Sequence, residues 1–314
     1  MLVVNTIAPI ALVVLLGAVL RRSGFASEGL FKGTNRLVFW VGLPCLLFHK
    51  TAQPITHGDA AMRIFLTLLL GTAVCVVAGY VVCLALRVPR RSAGAFVQGA
   101  YRGNLAYLGL PVVFYALAGV DGGAPAGMNG VAVLAIAPLI PIYNAVAVLV
   151  LLIGRDHGGA PMHRRVRAML FSVATNPLLL ACVAGILYSL GGWKLPVVVE
   201  RTAEAVGQMA LPLALLGIGA ALSFRELRGR WLFASASTVI KVAVAPLAGY
   251  LIGTALGLSS TEILVAMLFL GCPTAVVSWV MAEQLDADHH LAAGVVVLAT
   301  LLSMITLAVI LAVA

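Results

Sequence analysis

"YRGNLAYLGLPVVF", residues 101–114, places an arginine, an asparagine, two glycines and a proline inside a long apolar run. Proline removes a backbone donor and clashes with the preceding turn, while glycine lets a helix open or another backbone approach. In lipid each freed N–H or C=O must find a partner, so such interruptions persist only inside protein or beside a wet cavity. Alone, "GLP" at 109–111 reads as a packing kink. Its counterpart "GCP" at 271–273, in another apolar run, turns the reading towards two paired breaks. The expected breaks are therefore Gly109 with Pro111, and Gly271 with Pro273.

The rest of the chain fits a bilayer. Of its 314 residues 62% are hydrophobic and 10% charged, and the mean hydropathy is +1.10. A soluble domain has about 45–50% apolar and about 25% charged residues. Ten apolar spans are expected, at 3–20, 34–50, 63–86, 93–117, 128–153, 169–190, 202–222, 231–256, 262–282 and 290–313. The fold class is thus an all-α polytopic membrane protein. The first run lacks a basic n-region and a cleavage pattern, so it reads as a span rather than a signal peptide. The formal charge of +9 is explained by membrane orientation and calls for no nucleic acid. Loops after odd-numbered spans hold 14 of the 20 Lys and Arg, and loops after even-numbered spans hold 4. Cytoplasmic loops carry the basic excess, which places both termini on the non-cytoplasmic side of the cytoplasmic (inner) membrane.

The two halves of the chain share landmarks. Asn5 and Pro9 match Asn176-Pro177, "LPCLL" at 43–47 matches "LPLAL" at 211–215, and "GLP" matches "GCP", at offsets of 171, 168 and 162 residues. Five spans per half is an odd number, so the second half enters the membrane from the opposite side. Residues 1–155 and 156–314 are therefore expected to form two inverted five-helix repeats. Such repeats commonly build secondary transporters, with the substrate held where discontinuous helices meet.

The two basic residues outside the loops are Arg102 and Lys241. At the helical rise, Arg102 and Asn104 lie about 13–17 Å into span 4, and Lys241 about 15 Å into span 8. A charge at that depth is costly and usually functional. Two plainer roles stay open: Arg102 can snorkel to the surface, and Lys241 can hold carbonyls of an unwound helix end. All eleven Asp and Glu fall in loops or at span ends. A cation exchanger would be expected to bury carboxylates, so buried cations and exposed helix N-termini favour an anionic substrate. Asn144 reads equally as a substrate donor or an interhelical bond. Thr274 completes the candidate substrate-binding set of Arg102, Asn104, Asn144 and Lys241, although its hydroxyl, like Ser278, Gln98 and Gln208, reads more readily as an interhelical contact. The histidines lie at span ends or in loops and the five cysteines lack metal-like spacing, so neither a metal nor a cofactor is expected.

These residues resemble a known family. "RGNLAYLGLPVVFYALAG" is similar to the fourth span of the auxin efflux carrier family. "GCPTAVVSWVMAEQLDADHHLAAGVVVLATLLSMITL" resembles its last two spans. "NPLLLACVAGIL" and the spacing of Lys241 and Pro246 look alike as well. The resemblance implies ten spans in two inverted repeats, with helices 4 and 9 broken and crossing at Pro111 and Pro273. It assigns carboxylate binding to Asn104 and that crossing. Arg102 fits the bacterial branch, whose members include malonate- and malate-type carriers. The expected function is alternating-access transport of a mono- or dicarboxylate, not enzymatic catalysis. A sensor or channel of the same fold and a membrane-embedded enzyme are the alternatives. The expected partners are the anion and the bilayer; proton or sodium coupling and a homodimer stay open. A C-terminal tag is expected to be labelled from outside intact cells, and cytoplasmic labelling would overturn the span count.

Overall fold

The computed structural model describes residues 2–52, 58–119, 127–153, 171, 175, 177–193, 195–221 and 230–313. Asn176 and the basic loops at 154–167 and 222–229 lie outside the described residues. What is described is helical, without a named strand. Its helices are α1 (Leu2–Arg22), α2 (Glu28–Leu37), α3 (Leu43–Thr51), α4 (Gly58–Ala85), α5 (Arg90–Tyr101), α6 (Leu110–Ala118), α7 (Met128–Ile136) and α8 (Leu139–Ile153). They continue as α9 (Pro177–Leu190), α10 (Val197–Ala221), α11 (Trp231–Val239), α12 (Ala245–Ala255), α13 (Ser260–Gly271), α14 (Val277–Gln284) and α15 (His289–Val313). Among the described residues four continuous helical segments, Gly58–Ala85, Val197–Ala221, Trp231–Ala255 and His289–Val313, are long and apolar enough to cross a membrane. The protein is an all-α integral membrane protein.

Three π-turns run directly into the helix that follows: Val38–Gly42 into α3, Leu105–Gly109 into α6, and Ile240–Val244 into α12. Each is followed by a proline in the first turn of the next helix, namely Pro44, Pro111 and Pro246. A proline inside a helix clashes with the carbonyl four residues back. The π-turn inserts one residue and shifts that carbonyl away, so the rod continues past the proline. The N–H of Leu43 accordingly reaches back five residues to Val38, and that of Ala245 to Ile240.

The chain forms two compact units, each drawn from both halves of the sequence. The first comprises residues 1–62, 106–141 and 165–221. Within it α1 packs along α10, and α3 contacts both α9 and α10. Gly219 makes the first pairing close, because a β-carbon there would overlap the Val14 carbonyl. The second comprises residues 63–105, 142–164 and 222–314. There α5 packs on α11 and α15, α12 on α13, and α14 on α15.

Ion pairs tie helix ends in the second unit. Arg63 bonds the buried carboxylate of Glu262 at 2.9 Å, and Glu262 also closes a capping box with Ser259 at the start of α13. Asp288 starts α15, accepting from the N–H of Leu291 at 3.0 Å and from Ser92 at 2.7 Å, and pairs with Arg230. Gly219→Leu is expected to force α1 from α10 at an overpacking cost of about 1–3 kcal/mol. A thermal midpoint lower by about 2–10 °C in detergent would show this; an unchanged midpoint would contradict it.

Candidate substrate site at a crossing of two broken helices

All the polar groups described next belong to the second unit. Span 4 breaks at Arg102-Gly103-Asn104, between the end of α5 at Tyr101 and the π-turn that restarts at Leu105. Span 9 breaks after α13 ends at Gly271, and helix resumes as α14 at Val277. The two extended segments meet as a single antiparallel bridge, Gly103 opposite Thr274. Asn104 N–H donates to the Pro273 carbonyl at 2.8 Å, and Ala275 N–H donates to the Arg102 carbonyl at 2.9 Å. These bonds flank the bridged pair reciprocally, which makes it a non-hydrogen-bonded pair with Cα atoms about 4.5 Å apart. Gly103 fits this approach because a β-carbon there would stand 3.0 Å from Cys272 Sγ and 3.4 Å from Lys241 Nζ.

The crossing therefore lies at Gly103, which corrects the expectation of a crossing at Gly109 and Pro111. Pro111 sits in the first turn of α6 behind a π-turn, where its missing donor costs little. Gly109 ends that π-turn. In span 9 Gly271 closes α13, and Pro273 lies inside the break.

Several carbonyls near the end of each half-helix accept a bond from outside the helix or from the break itself. At the end of α5, Phe96 C=O accepts from Ser237 at 2.8 Å, Gly99 C=O from Thr274 at 2.7 Å, and Gln98 C=O from Arg102 N–H at 3.0 Å. At the end of α13, Phe269 C=O accepts from the Cys272 thiol at 2.9 Å and Leu270 C=O from Lys241. Without these donors the breaks would leave buried polar backbone unpaired.

Arg102 is 4% exposed and its guanidinium is held on several sides. Nη2 donates to Asn144 Oδ1, and Nη1 points at Met281 Sδ at 2.7 Å. The Gln98 carboxamide, turned to satisfy both of its ends, accepts from Nη1 and donates to the Ser278 carbonyl, each at 3.1 Å. Tyr101 reinforces this placement by donating to the Tyr143 carbonyl at 3.1 Å, beside Asn144. Among the described residues neither Arg102 nor Lys241 forms a salt bridge. Several donors there are unused by described residues: the N–H groups of Gly103 and Thr274, the Asn104 carboxamide and the buried Ser278 hydroxyl.

Of the residues expected to bind substrate, Arg102, Asn104, Asn144, Lys241 and Thr274 all belong to this crossing or to the groups bonded to it. Gln98, Met281 and Ser237 join it without having been expected there as site residues. A helical spacing of four residues signals two of them, Gln98 before Arg102 and Ser237 before Lys241. By contrast, an open groove of about 500 Å³ in the first unit, with Pro44, Phe48, Ala181 and Val198 in its wall, is apolar. Of the cysteines, Cys75, Cys83, Cys182 and Cys272 are buried, and Cys45 borders this groove.

A family model described as "Membrane transport protein" matches residues 2–311. The chain belongs to that family, the auxin efflux carrier family. A curated relative, an "Uncharacterized transporter" of Methanothermobacter thermautotrophicus, is 26% identical across 96% of this chain and 95% of its own length. Among auxin efflux carrier family proteins, then, this one carries its charged span residues at a backbone crossing. Thr274→Val keeps the shape but strips the Gly99 carbonyl of its donor, at a cost of about 1–3 kcal/mol. The thermal midpoint is expected to fall with Thr274→Val and to recover with Thr274→Ser; equal midpoints for all three would contradict the capping role.

Proposed function

We propose that this protein is a secondary carrier for a small organic anion, a mono- or dicarboxylate, working by alternating access in the cytoplasmic membrane. The observation that carries this reading is a buried crossing with two cationic side chains, unused N–H donors and no carboxylate paired to either cation among the described residues. Buried positive charge beside free donors suits a carboxylate, since hydrogen bonds to an ionised group are roughly twice as strong as neutral ones. Helix also restarts at Leu105 and Val277, and the positive ends of helix dipoles favour anions.

In this reading Asn104 and one of the two outward-facing N–H groups, that of Gly103 or that of Thr274 on the opposite edge of the bridge, contact the carboxylate directly. Arg102, steadied by Gln98 and Asn144, supplies the charge. Two inverted five-span repeats would place such a crossing on a local two-fold axis. Support comes from the reciprocal hydrogen bonds and from the 171-residue separation of Gly103 and Thr274, the same as that of Asn5 and Asn176. Arg102 argues for a bacterial-type organic-acid carrier.

Counterflow in liposomes tests the proposal. Wild-type protein is expected to exchange a radiolabelled carboxylate from a mono- and dicarboxylate panel in a saturable manner. Asn104→Ala and Arg102→Ala are expected to reduce that exchange by tenfold or more, about 1.4 kcal/mol or above, while still inserting in the membrane. Normal kinetics in a well-folded Arg102→Ala protein would remove the role of that side chain. Flux linear in concentration would favour a channel.

A further inference from the structure

Transporters built on broken helices commonly seat a coupling cation on the carbonyls at half-helix C-termini. In this protein the chain itself occupies such a seat. α13 ends at Gly271, and the carbonyl of Leu270, one residue earlier, accepts from Nζ of Lys241. Lys241 is fully buried, in the π-turn Ile240–Val244. Its Nζ lies 3.4 Å from where a Gly103 β-carbon would stand, so the ammonium belongs to the crossing itself.

The surrounding charges point the same way. The carboxylates of Glu262 and Asp288 are engaged by Arg63 and Arg230 at helix starts. At the other half-helix end, hydroxyls of Ser237 and Thr274 and the N–H of Arg102 occupy the carbonyls of α5. A sodium ion entering here would meet the positive charges of Lys241 and Arg102 and find the carbonyls of Gln98, Gly99 and Leu270 each engaged by a donor.

We propose that the Lys241 ammonium is a tethered substitute for a coupling cation, so that the crossing binds no sodium and loads its anion without it. The proposal rests on the carrier reading for its meaning, but its test reads cation binding and not flux. Removing the side chain should open the vacated seat to small free cations.

The test is the thermal midpoint of the purified full-length protein in detergent, in sodium chloride, methylammonium chloride or choline chloride at equal ionic strength. Wild type is expected to unfold at one temperature in all three. Lys241→Ala is expected to unfold lower in choline and to recover by about 2 °C or more in sodium or methylammonium. Lys241→Gln, which keeps a donor for Leu270 without charge, is expected to respond likewise and decides the matter if Lys241→Ala does not fold. A wild-type midpoint raised by sodium over choline would overturn the proposal, as would variants indifferent to all three salts. Absent counterflow with these cation responses intact would count against the carrier reading alone.

Discussion

A backbone that leaves the helix inside an apolar span must find other partners for its N–H and C=O groups, and this constraint organises the second unit. Its solution is two extended segments that satisfy each other, Asn104 to Pro273 and Ala275 to Arg102. The remaining carbonyls recruit side chains, and this accounts for Thr274, Ser237 and Lys241. What looks like a set of scattered polar residues in sequence is thus largely the cost of one pair of breaks. The residue types follow from that geometry. Glycine stands where the two strands come closest, threonine where a carbonyl needs a short donor, and lysine where a long arm must reach a neighbouring helix.

The breaks also expose what they cannot use. In a non-hydrogen-bonded bridge the central N–H groups face away from the partner strand, and those of Gly103 and Thr274 have no acceptor among the described residues. Arg102 is pinned by neutral partners, Asn144, Gln98 and Met281, which orient its charge without cancelling it. Buried positive charge beside outward N–H groups is the ground on which an anion is proposed as the ligand, and the chain's membership in a membrane transport family fits that proposal.

Much of this was legible in the sequence, though not its exact location. Arg102 and Lys241 stand out because charge is rare in apolar spans, and the absence of mid-span carboxylates is what makes an anion the proposed ligand. The location went astray at Pro111, because proline is the most visible helix breaker. Here π-turns absorb Pro44, Pro111 and Pro246, and the rods run on. The true break at Arg102-Gly103-Asn104 carries no proline. Its pairing with Thr274 repeats the 171-residue offset of Asn5 and Asn176, whereas the offset of "GLP" and "GCP" is 162. Local pattern favoured the proline; only tertiary pairing identifies the glycine. The two compact units were likewise hidden, since they depend on which helices pack together and not on order in the chain.

The most direct measurement is a cryo-EM structure of the protein at saturating concentration of a carboxylate that drives counterflow. The account predicts density for the anion against residues 102–104 and 273–275, with its carboxylate within hydrogen-bonding distance of Asn104 and the guanidinium of Arg102 close by. An anion bound elsewhere, with the Gly103–Thr274 bridge unoccupied, would contradict it.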